Sequence, residues 1–198
     1  MRRRLVITTL ALALAVAACS SDGAGDATSS TTIEPTVPTV TQPRRCSADG
    51  IERPGARPGS EVPAAVIATW DALSAAAISC NYDGLDQVAA AGDGVVRYTF
   101  GEQSSDETTG AHLRAREAAS EPVLRILAQT LGLRGVRADS MWAWPAAHGP
   151  APTDDDWRAL EAIYPPDQIA SWKQQGSFLG YRVGITDAGD WQYFIAGD

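Results

Sequence analysis

Lysine is nearly missing from this chain: it occurs once, at Lys173, while arginine, alanine and glycine are abundant. That bias resembles a GC-rich bacterial genome. Histidine is almost as scarce, so unperturbed bases near neutral pH are confined to His112 and His148. Neither lies in a motif with partner residues. The patterns GxSxG, HExxH, GxGxxG and the phosphate-binding GxxxxGK loop are all missing, which removes the best-marked hydrolase, zinc-protease and nucleotide readings. Both histidines therefore read first as surface residues, one at a helix start and one in a Gly/Pro loop. Positive charge is also short: 16 basic residues face 24 acidic ones. Nucleic-acid binding needs a basic footprint, so that partner class is excluded.

Long apolar runs are lacking as well. Leu5 to Ala18 is 14 residues and is followed at once by Ser20, Ser21 and Asp22. A spanning helix needs about 20 apolar residues. Arg2, Arg3 and Arg4 precede the run, and Val16-Ala17-Ala18-Cys19 ends it. A basic start, a short apolar stretch and small residues before a cut are the parts of a secretory signal. The Cys directly after the small residues resembles the lipobox of bacterial lipoproteins. The resemblance implies cleavage before Cys19, a lipid on its thiol, and an extracytoplasmic domain held to the cell membrane. A plain signal cut after Ala18 is the rival reading, and it leaves Cys19 as a free thiol. Cleavage at this point leaves 180 residues with a formal charge of −11, since three arginines go with the signal.

Only three cysteines occur. With Cys19 lipidated, Cys46 and Cys80 remain, and two cysteines in an exported chain are expected to pair. No CxxC or HxxxH spacing offers a metal site, and neither a cofactor nor a metal is expected.

These signals divide the chain into a signal peptide (1–18), a lipid-anchored tether (19–45) and a globular domain (46–198). Ala27 to Pro43 carries six threonines and three prolines with almost nothing to bury, which predicts disorder. Residues 46–60 read as an irregular arm. Beyond it, Val66, Ile67, Trp70, Leu73 and Ala77 follow helical spacing. Asp83 is placed to cap a short helix that Gly92 stops. Val95 to Phe100 is β-rich, with Val96, Tyr98 and Phe100 expected on one face. A helical stretch follows His112. Ser120 then suits the N-cap of a helix that buries Val123, Leu124, Leu127, Ala128 and Leu131. Val136 to Trp144 predicts a strand. Thr153 suits a cap ahead of Asp154-Asp155-Asp156, with Trp157, Leu160 and Ile163 following. Leu179, Tyr181, Val183 and Ile185 alternate with Gly180, Arg182, Gly184 and Thr186, and a Gly-containing turn leads to Trp191–Ile195. That is a hairpin pattern. The sum is a single α+β domain: an antiparallel sheet with a C-terminal hairpin, packed by several short helices.

The C-terminal stretch Leu179-Gly180-Tyr181-Arg182-Val183-Gly184-Ile185 through Phe194-Ile195-Ala196-Gly197-Asp198 is similar to the ending of uncharacterised bacterial envelope lipoproteins of actinobacterial type. Tyr98-Thr99-Phe100-Gly101 and Trp144-Pro145 match short motifs common among them. The resemblance implies one domain and no activity.

Candidate sites are few. Trp142 and Trp144 share one face of a strand, either as core or as an exposed sugar-stacking patch. Arg182, flanked by Gly180 and Gly184, reads as a place where another element packs closely, or as an open anion contact. His148 and Glu102 are the other residues whose sharing of a pocket with these would be informative. Consecutive Asp154, Asp155 and Asp156 point about 100° apart on a helix, so they cannot converge on one ion and instead complement the helix N-terminus. Two functions follow. One is a non-catalytic module that binds an envelope protein or glycan. The other is a cell-wall hydrolase using carboxylates that sequence cannot pair.

Overall fold

A computed structural model describes residues 45–52, 55, 57–92, 94–101 and 106–197. Cys19, the signal, the tether up to residue 44 and Glu102 lie outside the described residues. Those described fall in one unit, Gln42–Asp198.

The chain enters through turns at 45–50 and then forms α1 (Ala64–Ile78) and α2 (Tyr82–Ala91). Helix α1 follows Pro63 and buries Val66, Trp70, Leu73 and Ala77, the spacing expected from sequence. The cap of α2 is Asn81 rather than Asp83: the Asn81 side chain accepts from the Gly84 N–H at 2.9 Å, and Asp83 falls in the first turn. Helix α3 (Thr109–Ala118) starts at Thr108, whose hydroxyl accepts from the Ala111 N–H. Helix α4 (Val123–Leu131) buries every apolar residue expected of it.

Ser120 does not cap α4. It sits at φ 67° and makes the turn, while the cap is supplied from a distance. The Glu117 carboxylate accepts from Leu124 N–H at 2.9 Å, and the Ser47 hydroxyl accepts from Arg125 N–H at 3.0 Å. Ser47 donates its own N–H (2.7 Å) and hydroxyl (2.5 Å) to the same carboxylate. Free N–H groups of a helix start are thus satisfied by the arm.

The sheet is antiparallel, in the order β1 (Val136–Ala138), β2 (Met141–Trp144), β3 (Arg182–Thr186), β4 (Trp191–Ile195). The expected strand at 136–144 is therefore a tight hairpin, because Asp139 turns the chain at φ 53°. Between β2 and β3 lie α5 (Asp154–Ala159) and α6 (Pro166–Gln175). Thr153 caps α5 as expected, in a reciprocal pair with Asp156. The segment 95–100 is not a strand of the sheet. It touches β4 through one parallel bridge, Arg97 with Tyr193, made by two backbone hydrogen bonds of 2.9 Å. Val96 is buried and Phe100 is 54% exposed, so the expected common face breaks at its last residue.

Helices α1 and α4 pack on the sheet face carrying Trp144, Val183, Ile185, Trp191 and Phe194. Each fully buried aliphatic side chain contributes about 1.5–3 kcal/mol. The Trp70 indole N–H donates to Leu131 O at 2.9 Å, joining α1 to the end of α4. A smaller cluster gathers Trp157, Leu160, Ile169, Trp172 and Phe178 around α5 and α6. Gly189, at φ 96° in the β3–β4 turn, is needed twice over: a Cβ there would also lie 2.9 Å from Ala65 O of α1.

Cys46 and Cys80 form a disulfide with Cα atoms 5.7 Å apart, tying the arm to the end of α1. Replacing both with Ala should lower the unfolding free energy by about 3–4 kcal/mol for a loop of this length. Urea unfolding measures it; a loss below about 1 kcal/mol would mean that the Ser47–Glu117 contacts hold the arm unaided. Val183 has no exposed surface, so Val183→Asp should abolish cooperative unfolding.

Candidate functional site

Antiparallel partners directly opposite each other share a sheet face. Trp142 pairs with Ile185 and Trp144 with Val183, so both tryptophans lie on the core face. Trp144 is 1% exposed, and Trp142 packs half-buried against the same core. Gly135 lets the Trp144 ring approach, since a Cβ there would lie 2.5 Å from it. The pair is core, and the exposed sugar-stacking patch does not form.

Arg182 and His148 do meet, on the opposite face. Arg182 is only 8% exposed. Its guanidinium donates to Gly197 O, lies 5.4 Å from the Phe100 ring centroid, and places Nη1 3.5 Å from His148 Nδ1. Beside it, the Tyr193 ring covers Gly184, where a Cβ would lie 2.2 Å from the ring. Of the two readings of the Gly-flanked arginine, close packing is the one realised. Arg182 is an internal anchor for the C-terminal tail, not an open anion contact. His148 is half-buried rather than a surface residue. Burial first, and the Arg182 charge second, push its pKa below the ordinary value, with Asp139 opposing. At neutral pH it is an uncharged imidazole. The five residues of interest therefore do not share one pocket: His148 and Arg182 are together, Trp142 and Trp144 face away, and Glu102 lies outside the described residues.

His112 also departs from a bare surface role. Its ring stacks on Tyr98 with centroids 4.2 Å apart, and Nδ1 lies 3.1 Å from Glu107. Nearby, Glu121 joins Arg116 (2.5 Å) and the Tyr181 hydroxyl. Burial and the Glu121 carboxylate raise Tyr181 to about 12, so it remains a protonated donor. No periodicity in the sequence marked this cluster; its members come together only when α3 packs beside the sheet.

Several carboxylates are engaged with cations. Asp154 pairs with Lys173, Asp155 with Arg158 and Asp156 with Arg134, so the three consecutive aspartates serve three separate partners. Asp187 pairs with Arg137. The Arg134 hydrogen bond holds Asp156 down at about 2, and partner cations also lower Asp154 and Asp187. Glu121 is lowered too, by Arg116 and Tyr181 against the desolvation that opposes them. A general acid needs the reverse shift. Among the described residues no three His, Cys, Asp or Glu side chains are grouped to hold a metal ion.

Where the arm meets α2, α3 and α4 there is a cleft of about 490 Å³ lined by Arg45, Ser47, Tyr82, Arg114, Glu117 and Ser120 among others. The Arg114 guanidinium lies over the Tyr82 ring, 4.5 Å from its centroid. Sequence reasoning missed this site, because its walls come from positions up to about 75 residues apart.

Comparison of the chain with protein families, with curated proteins and with solved structures finds no match in any of the three.

Two outcomes are expected. Arg182→Ala should cost about 2–3 kcal/mol, because it strips both an internal hydrogen bond and the packing of its stem. Since the folded pKa of His148 is depressed, its contribution to stability is complete above about pH 6.5 and is lost as pH falls below that unfolded value. His148→Gln should flatten the decline in melting temperature between about pH 7 and pH 5. An unchanged slope would assign the acid sensitivity to other groups.

Proposed function

We propose that the chain is a cell-envelope lipoprotein, anchored through a lipid on Cys19, whose α+β domain binds a partner protein or glycan without catalysis. The observation that best supports the location is the Cys46–Cys80 bridge. Such bridges belong to oxidising compartments, and the basic-apolar-small pattern ending at Cys19 directs a chain to that side of the membrane. The two features are independent and agree. Kinship with the uncharacterised envelope lipoproteins of similar C-terminal sequence belongs to the same proposal.

The binding reading is preferred to the hydrolase because of what the acidic groups do. The shifted carboxyls, Glu121, Asp154, Asp156 and Asp187, all move downward. A glycosidase pair requires one carboxyl raised and held opposite another across a cleft.

Intact-mass measurement of the membrane-extracted protein tests the anchor. The expected mass is that of a chain beginning at Cys19 with a diacylglycerol attached, and Cys19→Ala should release the protein from the membrane fraction. A mature form with an unmodified Cys19 thiol would overturn the anchor.

A further inference from the structure

We propose that the cleft between the arm and α3 binds a phosphate-bearing anion, with Arg114 as its principal contact and Arg45 as its second. This goes beyond the proposed binding of a partner protein or glycan and does not depend on it.

The argument begins with charge. The chain is acidic, at −8 overall, yet the carboxylates lining this cleft are already occupied. Glu117 accepts from Ser47 N–H, Ser47 hydroxyl and Leu124 N–H. Those donors are neutral, and Arg125 donates from Nε to Ser47 O at 3.1 Å. Glu121 is taken by Arg116 and Tyr181. Arg114 differs: among the described residues no carboxylate lies within ion-pair distance of it, and its planar group rests on Tyr82 instead. That contact orders the guanidinium before a ligand arrives, which lowers the entropy lost on binding. Arg45 reaches the same cleft from the arm, 67% exposed and holding Asp49 only at 3.3 Å, an arrangement of little energetic worth.

Arg114, Arg45 and Ser120 line the cleft from three places: α3, the arm and the α3–α4 turn. Donors arriving from several directions suit a tetrahedral oxyanion better than a planar carboxylate, which one arginine satisfies by itself. The disulfide fixes the backbone at Cys46, one residue from Arg45. The ligand chemistry is therefore a phosphate group, whether free or carried on a lipid headgroup.

The test is a titration of the purified full-length protein at constant ionic strength, followed by the side-chain Nε–H NMR signals of its arginines. Inorganic phosphate is one probe and glycerophosphoglycerol, a soluble headgroup diester, is the other. Saturable shifts confined to Arg114 and Arg45 are expected. Arg114→Gln should weaken binding by about tenfold and Arg45→Gln by a few-fold, with melting temperatures within about 2 °C of the parent because neither residue anchors the fold. Equal binding of both probes points to a diester headgroup; binding of inorganic phosphate alone points to a free phosphate or terminal monoester. Absence of saturation with both probes, equal shifts at Arg137 and Arg158, or full binding by Arg114→Gln would overturn the assignment. Both probes are soluble, so the titration is independent of lipid on Cys19, and loss of the anchor reading would leave its result standing.

Discussion

The half-buried carboxylate of Glu117 ties together parts of this domain that would otherwise separate. It receives two hydrogen bonds from Ser47 and one from the start of α4. A carboxylate removed from water must recover its solvation from protein donors. Here they are backbone and hydroxyl groups rather than a cation in direct contact. The arm thereby becomes the cap of a helix about 75 residues further on, and the disulfide keeps the arm where that cap is needed. The neighbouring cleft exists because the arm is held against α3 at this point.

The sheet shows a different economy. Its core face is filled with large side chains, and its other face is made tight by omission. Gly184 leaves room for Tyr193, and the adjacent Arg182 turns inward to hold the tail. A charged side chain at 8% exposure persists because its guanidinium finds a carbonyl, an aromatic ring and an uncharged imidazole. The His148 pKa is lowered first by its own burial and second by the Arg182 charge beside it.

Surface electrostatics follow a pattern of local neutralisation. Asp154, Asp155, Asp156 and Asp187 each meet a separate cation. Most such pairs are exposed and add little stability. Their consequence is chemical: at Asp154, Asp156 and Asp187 the partner cation lowers the pKa, the reverse of what a general acid needs.

What the sequence determined by itself is what short-range physics controls. The buried faces of α1 and α4 follow from 3.6-residue spacing, the β3–β4 hairpin from alternation around Asp187-Ala188-Gly189-Asp190, the α5 cap from Thr153 ahead of Asp156, and the bridge from two leftover cysteines. Each is set by neighbours a few residues apart or by elimination among very few candidates. The departures arose where partners distant in sequence compete. Ser120 had the residue type of a cap, but Glu117 and Ser47 reached the α4 N–H groups first. Val95–Phe100 had strand propensity, yet only one bridge to β4 is made. The placement of Trp142 and Trp144, the burial of Arg182 and the cleft at Arg114 were decided by tertiary structure alone. A period-2 pattern says which residues share a face, but only packing decides which face is covered and which charges find partners.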